Sequence, residues 1–187
     1  ILDYSNPVYE KERSVTTEEG RQVYAGWAAA AAAHFRGHGI LWEIWNEPNI
    51  RGFWQPEPNV EDYTAMALVA ARAVRDVAPA EAIIGPDTST IDLGFLEGCF
   101  KAGLLQWWDA VSVHPYRRAA PETAAAEYHR LRQLRPQANH RLRRPHPGSG
   151  QQHRVVQVQR PGRSARLHRP PGPLRRHLLA ADRSLWA

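Results

Sequence analysis

The chain has 187 residues, a net charge of +5 and a single cysteine, Cys99. One cysteine excludes a disulfide framework and a cysteine-based metal cluster, and no apolar run approaches the length of about 18 residues that a membrane span requires. The charge is uneven, because residues 1–127 hold 10 Lys and Arg against 18 Asp and Glu, whereas residues 128–187 hold 14 Arg and one acid, Asp182. The net positive charge therefore belongs to the C-terminal segment.

The chain begins within an apolar run, 1–4, which reads as the end of a strand closed by Ser5-Asn6-Pro7. Since the first residue is Ile1 and not Met, we interpret the start as a cut through a larger gene. A signal peptide would have been lost with the missing part, so the sequence leaves the localisation open.

Strand and helix patterns alternate along residues 1–134. Thr16 and Glu19 form a capping-box pattern before the first helix, and Asn59 and Asp92 are the expected caps of the next two. The predicted helices cover 16–37, 59–79, 92–105 and 121–134, and the predicted strands cover 1–4, 40–46, 82–85 and 110–114. This order indicates βα units on a parallel sheet.

A stretch rich in β-branched and aromatic residues, 40–45, runs directly into Asn46, Glu47 and Pro48. Pro48 cannot donate to a sheet ladder, so the strand should end at Asn46 or Glu47 and leave an acid at its mouth. Glu43 points to the same face but lies about 13 Å away along an extended strand. A hydrolytic carboxylate pair needs about 5 to 9.5 Å, so the second carboxylate must come from elsewhere in the chain.

Trp-Asn-Glu-Pro-Asn at 45–49 resembles the fourth-strand motif of clan A glycoside hydrolases, the (β/α)8 TIM barrels of the family 39 and family 5 kind. The resemblance implies that Glu47 is the general acid/base and that Asn46 hydrogen-bonds the sugar hydroxyl beside the cleaved bond. The alternative is a strand-end Glu47 paired with a surface Arg. A complete barrel needs about 250 residues, so the implied fold class is α/β, an incomplete TIM barrel with about the third to sixth strands in residues 1–134.

Four further residues are candidates for this site. The strand at 110–114 ends in His114-Pro115-Tyr116. The resemblance places His114 and Tyr116 beside the nucleophile, although a lone strand-end histidine is more often structural. Trp54 either stacks on a sugar ring or is a core residue. We interpret Asp87, in the loop at 86–90, as a turn residue.

Residues 135–187 form a different segment, rich in Arg and Pro and without helical or strand period. We expect this segment to be disordered, since it cannot bury enough apolar surface to offset its chain entropy. The family resemblance would place the nucleophile Glu here, yet no Glu follows Glu127. We predict that the segment is the right gene read in the wrong frame, because one set of codons for 152–159, displaced by one nucleotide, encodes Ser-Thr-Glu-Trp-Ser-Arg-Tyr.

The predicted function is retaining hydrolysis of a β-linked oligo- or polysaccharide, with no cofactor and no metal. Without its nucleophile the fragment itself should be inactive. Two alternatives stay open. One is a carbohydrate-binding remnant; the other is a nucleic-acid-binding protein with a basic tail, which we do not expect because aromatic residues are not interleaved with the Arg residues.

Overall fold

The computed structural model describes residues 1–134 and, for the backbone alone, residues 154–157. Its centre is a parallel sheet with the strand order β1-β2-β3-β4. The strands are β1 (Leu41–Glu43), β2 (Ala82–Ser89), β3 (Ala110–His114) and β4 (Arg154–Gln157). Each neighbouring pair is parallel, and Leu2 extends the sheet beyond β1 through a parallel bridge to Ile44. The predicted α/β class with parallel strands is therefore confirmed.

Helices follow the strands in the predicted order. They are α1 (Glu18–His34), α2 (Val60–Val77), α3 (Leu93–Lys101) and α4 (Ala125–Gln133), with short 3-10 helices at Leu104–Gln106 and Pro121–Ala124. Asn59 and Asp92 cap α2 and α3, as predicted, by accepting backbone hydrogen bonds from Asp62 and Phe95. None of the helices in the described ranges has the length and hydropathy of a membrane span.

The start of α1 differs from the prediction by one residue. Thr17, and not Thr16, is the N-cap, and its hydroxyl accepts from the backbone of Gly20. The carboxylate of Glu10 accepts hydrogen bonds from the backbone amides of Thr16 and Thr17. Glu10, from the preceding loop, thus accepts from the N-cap amide in place of Glu19, to which the capping-box pattern assigned this role.

The aromatic core lies against α2. Trp45, Trp54 and Tyr63 are fully buried and contact one another in series, with ring centroids 5.0 and 5.8 Å apart. The hydroxyl of Tyr63 donates to the carbonyl of Ile44 at 3.0 Å. This packing fixes the chain at the end of β1, which is the segment that carries the Asn-Glu-Pro motif.

Two predictions for strand positions are wrong. β1 ends at Glu43 and not at Asn46 or Glu47, because the backbone adopts left-handed φ values at Trp45 and Glu47. β4 lies within the segment for which we expected no strand period. The other residues of 135–187, with the predicted disorder and the basic nucleic-acid-binding tail, lie outside the described residues.

Candidate active site

The site lies where the parallel strands end. Glu47 follows β1, Asp87 lies near the end of β2, and His114 is the last residue of β3. Because neighbouring parallel strands share one C-terminal edge, the three side chains meet. All three are buried, with 6%, 0% and 2% of their surfaces exposed. Glu47, the acid that we expected at a strand mouth, therefore lies at this edge beside His114.

His114 bridges the two acids. Its Nδ1 lies 2.8 Å from Oε1 of Glu47, and its Nε2 lies 2.8 Å from Oδ1 of Asp87. The first contact is a hydrogen bond, whereas the second is an ion-pair contact without well-aligned hydrogen-bond geometry. The resemblance implied that His114 lies beside the nucleophile, which stays a prediction. In the structure its hydrogen-bond partner is the predicted acid/base, Glu47.

The electrostatics of the bridge favour a charged ring. Burial alone would lower the pKa of His114, but the close polar contacts of its two nitrogens with Asp87 and Glu47, together with the negative charges of these acids, outweigh it and raise the pKa. Glu43, at the end of β1, is buried near the same group. Burial and then the charge of Asp87 raise the pKa of Glu43 to about 7. The site therefore holds more protons at neutral pH than its residue types would suggest.

Strained backbone marks the same edge. In the described ranges, the non-glycine residues with left-handed φ all lie at or just beyond strand ends: Tyr4, Trp45, Glu47, Asp87 and Thr90, with φ between 48° and 74°. Such conformations cost about 1 to 3 kcal/mol each and gather at functional sites, where surrounding contacts enforce them. At Glu47 one such contact is its backbone amide, which donates to the carbonyl of Asp87 at 3.0 Å. The backbone at this edge therefore accepts conformational strain that fixes the positions of side chains such as Glu47 and Asp87.

The two asparagines of the motif at 45–49 contact other parts of the chain near the strand ends. Asn46 is buried, and its backbone amide faces the carboxylate of Asp3, whose pKa burial raises to about 6. The Asn49 side chain joins its loop to the end of β2, since it donates to the Ser89 carbonyl and accepts from the Ser89 amide. Asn49 therefore stabilises the mouth, a role that the sequence reading had not assigned to it.

The two predicted aromatic contacts differ. Tyr116 is half exposed, and its ring centroid lies 5.3 Å from that of His114, so it borders the site on the solvent side. Trp54 is fully buried between Trp45 and Tyr63. The substrate-stacking assignment of Trp54 is corrected, because a ring with no exposed surface cannot stack on a sugar.

Asp87 is the site residue that sequence reasoning missed. We interpreted it as a turn residue, but β2 continues through it to Ser89. An available signal was the position of an acid two residues after the strand-like run at 82–85, which places it near a strand mouth like Glu47. Within residues 1–134, no group of His, Cys, Asp and Glu side chains has a metal-binding arrangement.

Comparisons with known proteins agree with this geometry. No family model matches the chain. The chain is 31% identical to a β-xylosidase of Geobacillus stearothermophilus over an alignment of 135 residues, and the match covers 65% of this chain and 26% of that protein. The resemblance to family 39 glycoside hydrolases of clan A is confirmed. The chain spans about a quarter of the length of this relative.

Solved structures support the fold. A monomeric β-xylosidase from Caulobacter crescentus matches with a TM-score of 0.50 at 24% identity, over 61% of this chain and 28% of that one. The GH39 enzyme from Xanthomonas axonopodis pv. citri matches with a TM-score of 0.50 at 20% identity, over 62% of this chain and 27% of that one. The parallel strands and their helices are therefore arranged as in part of those enzymes.

Proposed function

We propose that this chain carries the acid/base side of a retaining glycoside hydrolase active site, with Glu47 as the general acid/base. The observation that carries the proposal is the position of Glu47, an acid at the C-terminal edge of a parallel sheet held by a buried histidine at 2.8 Å. Active sites of TIM barrels are built at this edge. The confirmed family resemblance gives the same role to the Glu of Asn-Glu-Pro.

The chemistry divides into two steps. In the first, Glu47 donates a proton to the glycosidic oxygen as a nucleophilic carboxylate bonds to the anomeric carbon and the leaving group departs. In the second, Glu47 takes a proton from a water molecule, which attacks the anomeric carbon and releases the nucleophile. Asn46 would hydrogen-bond the adjacent sugar hydroxyl, and the half-exposed ring of Tyr116 would border the sugar.

The nucleophile would belong to the next strand. In the structure β4 pairs in parallel with β3. The resemblance implies that the strand after β3 ends in the nucleophile. As written, the residues of Arg154–Gln157 include no acid. We propose that the coding DNA read in an alternative frame supplies Glu-Trp within codons 150–158. Sequencing that DNA tests this directly, and the absence of Glu-Trp from both alternative frames would reject it.

A β-linked xyloside is the substrate class we propose, because the curated relative and one structural neighbour are named as β-xylosidases. The test uses a chimaera in which residues 1–134 replace the matching segment of the Geobacillus stearothermophilus β-xylosidase. Hydrolysis of xylobiose is compared with that of 2,4-dinitrophenyl β-xyloside, whose leaving group departs without a proton.

Glu47→Gln should lower kcat/KM for xylobiose by about 10²- to 10⁴-fold, the usual contribution of general acid catalysis. For the dinitrophenyl substrate kcat/KM should stay within about tenfold of the parent. Glu57→Gln is the matched control, since Glu57 is exposed and paired with Arg51. Equal losses on both substrates would contradict the acid/base assignment.

A further inference from the structure

Asp87 reaches the site through an irregularity in the sheet. The register of β2 against β3 pairs Pro86 with Ser112 and Thr88 with Val113, so Asp87 is an extra residue between them. Its φ is 56°, in the left-handed region. A bulge of this kind re-aims a side chain, and bulges recur beside active sites. Here the bulge turns a fully buried carboxylate toward the imidazole of His114.

We propose that Asp87 is a positioning residue that acts through His114 on Glu47 and keeps the proton between the ring and Glu47 on Nδ1. The inference rests on the proposed role of Glu47. Three consecutive strand ends each supply one member: Glu47 after β1, Asp87 on β2 and His114 on β3. Both links measure 2.8 Å, which leaves little freedom for the ring.

The position of that proton decides which oxygen of Glu47 reacts. With the ring doubly protonated, Nδ1–H donates to Oε1, and Oε2 remains to carry the proton that is delivered to the substrate. With a neutral ring whose Nε2–H faces Asp87, Nδ1 becomes an acceptor. Glu47 must then donate from Oε1, which turns its proton inward, away from the substrate. A negative charge at Asp87 favours the first arrangement.

The charges around the ring agree with this assignment. Glu47 and Asp87 contact its two nitrogens, Glu43 contributes a weaker attraction from β1, and the ring of Tyr116 packs beside it. Each of the three acids favours a charged ring when ionised. The raised pKa of His114 has the same direction.

Nuclear magnetic resonance of the labelled 187-residue chain tests the proposal. Long-range ¹H–¹⁵N spectra recorded between pH 5 and pH 9 report the protonation of each histidine nitrogen, and the loss of one set of signals in His114→Gln assigns the ring. At pH 7 the parent and Asp76→Asn, an exposed aspartate on α2, should show both nitrogens of His114 protonated. In Asp87→Asn, Nδ1 should lose its proton at a pH lower by about one unit or more.

Three outcomes decide the matter. A neutral His114 in the parent at pH 7 overturns the proposal, even if Asp87→Asn fails to fold. The same titration in Asp87→Asn and Asp76→Asn overturns it as well. Asp87→Glu, which keeps the charge, should retain the doubly protonated ring, and a neutral ring there would count against the proposal. Because no turnover is measured, failure here is distinct from failure of the Glu47 assignment in the kinetic test.

Discussion

The two edges of the sheet are built differently. At the edge where β2 and β3 begin, Arg75 forms an ion pair with Asp109. At the edge where the strands end, His114 lies between Glu47 and Asp87, and all three are buried. The first arrangement leaves each charge with an opposite partner, whereas the second places one histidine between two acids. The difference fits a stabilising role for the first edge and the catalytic role that we propose for the second.

Backbone conformation follows the same division. Among the described residues, the glycines with left-handed φ are Gly37, Gly39 and Gly103, and they lie in segments that lead into β1 and β3. Glycine adopts this conformation without steric cost. At the opposite edge, residues with side chains adopt it, Glu47 and Asp87 among them. In the part of the chain that the structure describes, left-handed backbone at residues with side chains therefore lies near the edge that carries Glu47, Asp87 and His114.

The largest effect that we expect is the absence of turnover by the chain itself. The 187-residue polypeptide should hydrolyse β-xylosides no faster than its Glu47→Gln variant, because an acid/base without a nucleophile cannot form the glycosyl intermediate. Release of xylose, measured in both proteins side by side, checks this. Rapid hydrolysis that Glu47→Gln abolishes would show that another carboxylate serves as the nucleophile.

At the edge where the strands begin, Arg75→Ala should lower the free energy of unfolding by about 3 kcal/mol, since it leaves Asp109 without its partner. The guanidinium also donates to the carbonyls of Glu81 and Trp107. Arg72→Ala is the control, because Arg72 is exposed and lies over the ring of Trp107. Urea titration measures both variants, and equal losses would contradict the structural role of the pair.

At the mouth, Glu43 should make stability depend on pH. Its pKa is raised from 4.5 to about 7 in the folded chain, so the folded state binds more protons than the unfolded state between these values. Stability should therefore fall from pH 5 to pH 8, by on the order of 3 kcal/mol at most. His114, with a raised pKa, adds to the fall at the upper end of this range.

Glu43→Gln should remove most of that dependence, because an amide does not ionise. Urea titrations at pH 5 and pH 8 compare the variant with the parent and with Glu97→Gln, a surface control whose acid pairs with Lys101. A parent whose stability rises between pH 5 and pH 8 would refute the burial of a protonated Glu43.

The smallest effect concerns Tyr116. In the chimaera, Tyr116→Ala should raise KM for xylobiose by about 2- to 10-fold, which matches the 0.5 to 1.5 kcal/mol of an aromatic contact. Tyr4→Ala is the comparison, since Tyr4 is an exposed aromatic beyond a different strand end. A larger effect on kcat than on KM would mean that Tyr116 contributes to the chemical step.

Local signals predicted the order of elements well. Asn59 and Asp92 were recognised as caps because capping depends on residues two or three positions away. The helical spacing of Val23, Trp27, Ala30, Ala31 and Phe35 predicts the buried face of α1, and this prediction is wrong. The buried positions of α1 include Tyr24, Ala28 and Ala32, whereas Trp27 is half exposed, because alanine allows close helix packing on any face and leaves little periodic signal.

The site was predicted only in part, for a physical reason. Glu47 and His114 were found because each lies at or soon after the end of a strand and belongs to a motif. Asp87 was missed because its position depends on a bulge, which arises from pairing between β2 and β3 and has no local pattern. Trp54 was left open because burial of a loop aromatic is decided by distant contacts, here Trp45 and Tyr63.

The most direct test of the central claim is the stereochemistry of azide rescue. In the chimaera with Glu47→Ala, 2,4-dinitrophenyl β-xyloside still forms the glycosyl intermediate, and azide, which needs no general base, can attack it from the face that water normally uses. The account predicts β-xylosyl azide, with retained configuration, identified by proton magnetic resonance. Formation of α-xylosyl azide would show that Glu47 is the nucleophile, and no azide product at all would contradict a catalytic role for Glu47 as the acid/base.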